Sequence, residues 1–394
     1  MLEKLPEYMT RGLGAWMQAI QRPVLRELEP HAERIGIHDV EVLSSYNWVS
    51  PDYPPTIMVP GGPRVLRKDI GAVQLEKPTR ELRDLYPTST RLPLGAPTQP
   101  MFQAVRALRP ECRFDNVDVV TSRIVLTMLL NFCKWGLSDF RLNATVVNDS
   151  LILEHCPKWT SMFAKNGSGY GFNFEEYMTA YPEGLEASDS HWRILRYKLG
   201  PMTWVIHYES DATKEPYGRF DNQKPVVIPA RDHESATVVL KGHLTPQEET
   251  IEIKSKNGIH RWTPIQVEPA IWAGCTGHLL LGRLHQGMVE EVKIGDYRER
   301  NESQWFHKFP QHRLHALPLL IRALTRAVRK APSGQAGLVF RAHPWERVEV
   351  FDADPQQGPI VSQEMRETFW GPKRRKRVRG GSPRGESLQV VAAV

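Results

Sequence analysis

Two short stretches of this 394-residue chain constrain its fold more than any others: Trp204 to Asp211, reading Trp-Val-Ile-His-Tyr-Glu-Ser-Asp, and Thr250 to Lys254, reading Thr-Ile-Glu-Ile-Lys. Both alternate in polarity with the period of a β-strand. Residues two apart share a face of a strand. Glu209 and Asp211 therefore point one way, and Trp204, Ile206 and Tyr208 the other. Glu252 and Lys254 share a face opposite Ile251 and Ile253. Laid side by side, the two strands bring three carboxylates and one ammonium to one spot. Crowded carboxylates repel unless a cation lies between them. Mg2+ and Mn2+ take such oxygen ligands. A neighbouring lysine steadies an attacking water or the charge of a phosphoryl transition state. Taken alone, the same residues also read as a solvated strand edge.

Length and charge narrow the setting. A chain of this size buries a substantial core as one large or two ordinary domains. Its 41% hydrophobic and 24% charged content is that of a soluble globular protein. The net charge of +6 permits a polyanionic partner. Six of the seven residues from Lys373 to Arg379 are basic, so the remaining body is near neutral and any nucleic-acid groove is a local patch. We expect one domain over residues 1–370 and a disordered Gly-, Arg- and Ser-rich tail over 371–394. The basic run fits nuclear import or nucleic-acid contact, and otherwise a solvating tail. Cys112, Cys133, Cys156 and Cys275 are scattered without a C-x-x-C pair, which argues for reduced, buried thiols in an intracellular protein rather than zinc or disulfides. No apolar run reaches the length of a membrane span, and the N-terminus lacks a signal-peptide core.

Along the chain, the apolar spacing of residues 7–29 predicts an amphipathic helix broken near Pro23. From Val42 to Arg64, five prolines predict extended chain wrapped over a surface. Residues 117–135 predict a short strand and then a buried helix capped at Thr121 or Ser122. Arg123 then stands in the first turn of an apolar helix. A buried guanidinium needs an anion, either a structural carboxylate or a bound phosphate. Residues 141–156 predict a hairpin turned at Asn148-Asp149, and 193–211 a hairpin turned at Gly200-Pro201. A glycine-rich turn from Gly167 leads into a helix that carries Glu175. No phosphate-binding G-x-x-x-x-G-K-S/T follows it. Thr237–Leu240 and Val289–Ile294 predict strands, and Leu317–Val328 a helix with Pro318 in its first turn. Arg322, Arg326 and Arg329 on that helix give a basic face, either solvated or in contact with an RNA backbone.

An Asp followed after a gap by Glu-x-Lys is the pattern of metal-dependent nucleases with a PD-(D/E)XK-like core. With Arg123 and Glu175 the order becomes specific. Asp118-Val-Val-Thr-Ser-Arg123, Gly171-Phe-Asn-Phe-Glu-Glu-Tyr-Met-Thr-Ala180, Tyr208-Glu-Ser-Asp-Ala212 and Ile251-Glu-Ile-Lys254 follow one another in the chain. They resemble, in order, four motifs of the DXO-type decapping nucleases, most closely a divergent fungal branch. The resemblance spans residues 118–254, and weakens through Trp272 to Val292. It implies an α/β (α+β) fold, with a mixed sheet flanked by helices. It further implies that Glu175, Asp211, Glu252 and the Ile253 carbonyl bind Mg2+ or Mn2+, and that Glu209 acts through a water on the metal. Lys254 would orient the nucleophile or stabilise the phosphate, and Arg123 would hold the RNA phosphate.

Two positions depart from the family pattern. Tyr208 stands where the family has Gly, and Gly274 or Cys275 where it has Gln. The expected activity is metal-dependent hydrolysis at defective or non-canonical RNA 5′ ends, by cap removal, pyrophosphohydrolysis or deNADding, with 5′-3′ exonuclease action open. The alternative is a non-catalytic RNA-binding adaptor that stabilises a 5′-3′ exoribonuclease partner. The expected location is the nucleus, with the cytoplasm open. Because clustered carboxylates repel, removing Asp211 or Glu252 is expected to leave the fold intact.

Overall fold

The computed structural model describes residues 5–23, 33–68, 71, 73–76, 82–84, 92, 98–134, 138–157, 161–163, 170–216, 218, 226–231, 235–258, 267–298, 311–342, 344–354, 356 and 358–372. Among these, two mixed sheets dominate. The larger runs from edge to edge as β1 (Leu13–Gln21), β20 (Arg347–Ala353), β19 (Gln335–Arg341), β7 (Phe140–Val147), β8 (Ser150–His155) and β6 (Val119–Ser122). It continues through β12 (Met202–Glu209), β11 (Ser188–Leu199), β2 (Ile37–Val49), β3 (Thr56–Gly61), β15 (Thr237–Gly242) and β14 (Val226–Ile228). The smaller sheet runs β10 (Thr179–Ala180), β4 (Arg64–Leu66), β13 (Ala212–Thr213), β16 (Thr250–Asn257), β17 (His278–His285) and β18 (Met288–Asp296). β5 (Leu82–Asp84) and β9 (Ser161–Phe163) pair apart from both. The helices are α1 (Glu7–Thr10), α2 (Gln99–Leu108), α3 (Arg123–Lys134), α4 (Gly171–Met178), α5 (Glu268–Gly274), α6 (Gln311–Val328) and α7 (Gln363–Trp370).

The period of two along β12 sorts its side chains between two cores. Trp204, Ile206 and Tyr208 pack with Leu126 and Leu129 of α3 and Leu317, Leu320 and Leu324 of α6. Val205 faces the other way, with Ile194, Tyr46, Phe102 of α2 and Phe369 of α7. A third core lies on the smaller sheet, where Phe174 and Met178 of α4 meet Ile251, Ile253, Leu280 and Leu284. Gly282 lets α4 come close, since a Cβ there would lie 2.2 Å from the Phe174 ring. That contact seats Glu175, the next residue along α4.

Several expectations hold. β11 and β12 form the hairpin turned at Gly200-Pro201, with Gly200 at φ +57°. β7 and β8 form the hairpin at Asn148-Asp149, with Asn148 at φ +51°. The Ser122 hydroxyl accepts from Val125 N–H at the start of α3. The four cysteines are free thiols, but only Cys133 and Cys275 are buried as expected, Cys112 and Cys156 being partly exposed. No described helix is long and apolar enough to cross a membrane.

Others are corrected. The helix expected over residues 7–29 ends after one turn, and Leu13–Gln21 is a strand instead. Gly12, at φ +70°, turns the chain, and Gly14 lies against the β20 backbone, where a Cβ would be 3.1 Å from Asp352 O. Edge pairing with β20 thus overrides a helical spacing of apolar residues. The proline-rich segment begins not as a surface wrap but inside the larger sheet, because Leu43 to Trp48 are buried in β2. Pro51, Pro54 and Pro55 occupy only the turn between β2 and β3. The helix expected from Leu317 starts at Gln311, which leaves Pro318 in its interior. Buried Leu314 extends the apolar stripe by one turn, and packing of that stripe stabilises the helix through the missing N–H. Finally, β12 and β16 are not neighbours in one sheet. The chain leaves the larger sheet at Glu209, crosses at Ser210-Asp211, and enters the smaller sheet as β13, whose Ala212 pairs with Ile251 of β16. The expected tail, from residue 373 on, lies outside the described residues, as does the start of the glycine-rich turn before Tyr170.

Candidate active site

The seam between the two sheets is where the candidate side chains meet. β6 runs parallel to β12, with Ser122 level with His207, so the next residue, Arg123, emerges beside the end of β12. β16 brings Glu252 and Lys254 from the other sheet, and α4 brings Glu175 over it.

Arg123 and Glu252 form the centre. Arg123 Nη1 donates to Glu252 Oε2 at 2.7 Å, and Nη2 reaches Oε1 at 3.4 Å. Lys254 Nζ lies 2.6 Å from Glu252 Oε1 and 3.6 Å from Asp211 Oδ2, so one ammonium touches both carboxylates. It also donates to the Ile253 carbonyl at 2.9 Å. Asp211 Oδ2 accepts Ile253 N–H at 2.7 Å, which fixes the crossing segment to β16. Glu209 ends β12 as an exposed residue.

The electrostatics divide these groups. Burial works against the Glu252 carboxylate, but Arg123 and Lys254 outweigh it and hold its pKa down to about 2. Lys254 is disfavoured by burial but raised by Glu252 and Asp211. Glu209 is pushed up to about 7, by the protein atoms crowding it and then by Asp211 and Asp189. Asp211 is pushed up to about 6, first by burial and then by Glu252, with Lys254 opposing. Glu175 is driven well above the carboxylate range by burial, Asp211 and Glu209, against Arg64 and Lys254.

As placed, no three acidic or imidazole side chains among the described residues stand close enough to hold a metal ion. The donor set nevertheless fits one. Glu175, Glu209 and Asp211 are hard oxygen donors whose pKa values are raised first by burial and then by acidic neighbours, the condition a divalent cation relieves.

Behind Arg123 lies a network that sequence reasoning did not find. The guanidinium stacks over the Tyr208 ring, 4.6 Å from its centroid. Tyr208 Oη donates to Gly274 O at 2.8 Å and accepts from Gln247 Nε2 at 2.7 Å. Arg193 Nε donates to Gln247 Oε1 at 2.9 Å, and its Nη2 to Thr245 O at 2.6 Å. The two departures from the family pattern therefore meet: Tyr208 bonds to Gly274. A Cβ on Gly274 would lie 3.1 Å from Arg123 Cδ and 3.2 Å from Nη1, so a longer side chain there would press on the guanidinium. A glutamine does reach this corner, but it is Gln247 from the turn before β16, buried and engaged. Tyr208 carried a signal in the sequence, as a bulky residue before Glu209. Gln247 and Arg193 carried none.

A family profile described as "Domain of unknown function (DUF8563)" matches residues 19–370. No curated protein sequence matches the chain. Among solved structures, Candida albicans Rai1 in complex with pU5-Mn2+ aligns with a TM-score of 0.55 at 12% identity, over 89% of this chain and 99% of that one. Scheffersomyces stipitis Rai1 in complex with (3′-NADP)+ and calcium aligns at 0.53 and 11%, over 87% and 99%. K. lactis Dxo1 in complex with manganese aligns at 0.53 and 11%, over 86% and 98%. At such identity the likeness shows the fold: mixed sheets flanked by helices, with a PD-(D/E)XK-like core. The resemblance of the four motifs to DXO-type proteins thus extends to the fold that carries them.

Proposed function

The chain belongs to the DUF8563 family, and we propose that it is a divalent-cation-dependent hydrolase of non-canonical RNA 5′ ends. The observation that carries this reading is the seam itself. Three carboxylates whose pKa values are raised by burial and by acidic neighbours stand beside a guanidinium and an ammonium. That arrangement matches a substrate that brings phosphate together with a cation. The ligands of the structural relatives, a 5′-phosphorylated oligonucleotide with manganese and a dinucleotide with calcium, support the same class of substrate for this chain.

In this reading Glu175, Glu209, Asp211 and Glu252, with the Ile253 carbonyl, would hold Mg2+ or Mn2+. When bound, the cation supplies Lewis acidity toward the scissile phosphate and its attacking water. Arg123 has two anions to serve, Glu252 and an RNA phosphate, and its planar fork suits both. Lys254 Nζ, held at the mouth by Glu252 and the Ile253 carbonyl, offers a positive charge to the developing phosphoryl charge. Glu209 would act through a water held by the cation, taking a proton from it. Tyr208 keeps the guanidinium in plane from below. We further propose that the Lys373–Arg379 run serves nuclear import or adds RNA affinity, and that a 5′-3′ exoribonuclease is a partner.

A second reading has one observation in its favour. Glu252 is engaged by both Arg123 and Lys254, which suits a non-catalytic RNA-binding adaptor that needs no metal. The two readings separate in one assay. RNAs labelled at the 5′ end and bearing triphosphate, guanosine cap, NAD-type cap or 5′-hydroxyl are incubated with Mn2+, Mg2+ or EDTA. The enzyme reading requires cation-dependent release of at least one end group, lost in Asp211→Ala. Tight RNA binding with no cleavage of any end replaces it with the adaptor.

A further inference from the structure

Beside the seam, on the opposite face of the larger sheet from α3, three aromatic rings lie nearly parallel. Trp192 of β11 is the register partner of Glu209 on β12 and of Tyr46 on β2, which sets Tyr46, Trp192 and Glu209 in one row. Directly opposed residues of antiparallel strands share a face, with Cβ atoms about 4.5–5.5 Å apart. His207, two residues before Glu209, stacks on Trp192 with centroids 4.7 Å apart and planes 27° apart. Tyr46 is within 10° of parallel to Trp192 and 18° to His207. Its hydroxyl lies 2.8 Å from His207 Nε2.

The three rings differ in burial. Tyr46 is fully buried, with Trp48 against its edge. Trp192 is only half-buried, at the rim beside Glu209. Its indole N–H is satisfied internally by Ser190 Oγ at 3.0 Å, which fixes the ring plane. His207 covers one indole face, and the ring as a whole keeps part of its surface exposed. The result is a rigid, flat, partly open π-surface one residue pair from a carboxylate of the seam.

We propose that Trp192, backed by His207 and Tyr46, is a stacking platform for the base of the 5′-terminal nucleotide. This deepens, and rests on, the reading that the seam takes RNA 5′ ends. Every base has a π-face, and stacking on a protein aromatic tolerates any base identity. The platform therefore recognises that a base is present, not which one. It serves a site that accepts different ends while holding the terminal nucleotide beside Glu209 at the seam.

The test is equilibrium binding to the full chain in EDTA, with 3′-fluorescein 5′-phosphorylated pentaribonucleotides. One probe carries a base on the 5′-terminal residue, and the other has an abasic ribose there. The wild type should bind the base-bearing RNA about five-fold or more tightly. Trp192→Leu should erase that preference, and Trp192→Phe should keep most of it. In a second measurement, 2-aminopurine at the 5′ terminus should be quenched on binding to the unmodified protein. Equal wild-type affinity for both probes, no RNA binding, an unquenched 2-aminopurine, or a preference that survives in folded Trp192→Leu would each overturn the platform. If Trp192→Leu does not fold, the wild-type quench and the Trp192→Phe preference decide. Because no cleavage is read, the outcome is independent of the hydrolase assay. A chain that cleaves without base preference loses the platform alone, and one that prefers the base without cleaving loses the enzyme alone.

Discussion

Glu252 and Asp211 share Lys254, and burial pushes the pKa of both upward, yet their neighbours leave them on opposite sides of the ordinary carboxylate range. Glu252 is enclosed by two cations and stays ionised far below neutral pH. Asp211 is buried too, but its acidic neighbour outweighs the shared lysine, and its proton is held up to about pH 6. Glu209 and Glu175 lie on the Asp211 side of this divide. A buried carboxylate is thus held ionised or driven toward its neutral form according to what faces it. This seam holds both kinds, joined through Lys254.

The widest contrast should appear on removing Glu252. Glu252→Ala leaves the Arg123 guanidinium without its carboxylate, and Lys254 with only Asp211. Stranding a buried charge in this way costs about 3–5 kcal/mol. We expect a marked fall in the urea midpoint in EDTA, together with loss of hydrolysis. This revises the expectation, drawn from repulsion alone, that either acid can be removed without harm to the fold. An unchanged midpoint would mean that Arg123 finds another partner and that the paired half is not structural.

Asp211 should behave in the opposite sense. Asp211→Asn removes the charge while keeping an acceptor for Ile253 N–H. The raised carboxyl penalises the folded metal-free protein above about pH 6. It has no effect below about pH 4, where the unfolded chain is protonated as well. At pH 8 in EDTA the variant should gain about 1–2 kcal/mol, a gain that shrinks toward zero as pH falls to 4. Hydrolysis should be lost all the same. A gain that persists at low pH would point to packing rather than charge.

The division between the halves was only partly legible in the sequence. Alternation is local, so the β12 and β16 strands and their acids could be read from eight and five residues. Arg123 was legible as a charge in an apolar helix, and both of its candidate partners, carboxylate and phosphate, could be named. That the carboxylate is Glu252 depends on α3 starting over β16, a tertiary fact with no local trace. The crossing from one sheet to the other was hidden for a different reason. β13 is two residues long and β4 three, too short for any period to show. The same holds for Gln247, a polar residue in a turn until Tyr208 and Gly274 close around it. The β1 strand was misread because its apolar spacing fits a helix equally well, and only the β20 edge decides.

A third contrast concerns protons. If Glu209 and Asp211 are cation ligands, their protons must leave before the ion binds. Mn2+ affinity should weaken as pH falls through 7 and then 6, by about tenfold per pH unit for each proton displaced. Glu252, already ionised, should add nothing to that slope. Calorimetric titration with Mn2+ at pH 6 and pH 8 reads it directly. A pH-independent affinity would move the cation away from these two carboxylates.

The smallest effect separates ring from hydroxyl beneath Arg123. Tyr208→Phe removes the bond to Gly274 O and one acceptor for Gln247 Nε2. That amide still has Gly274 O at 3.0 Å, Cys275 O at 3.2 Å and Thr250 Oγ1 at 3.3 Å. The cost should therefore be about 1 kcal/mol, that of an ordinary hydrogen bond. The ring stays under the guanidinium, so RNA affinity should not change. Tyr208→Ala removes the ring as well, with a cation–π contribution of about 0.5–2 kcal/mol and a cavity besides. It should weaken RNA binding along with the fold. Urea midpoints and RNA affinity for the pair give the answer. If Tyr208→Phe weakens RNA binding as much as Tyr208→Ala, Arg123 is held by the hydroxyl network through Gly274. The contribution of Tyr208 to the site would then lie in its oxygen and not in its ring.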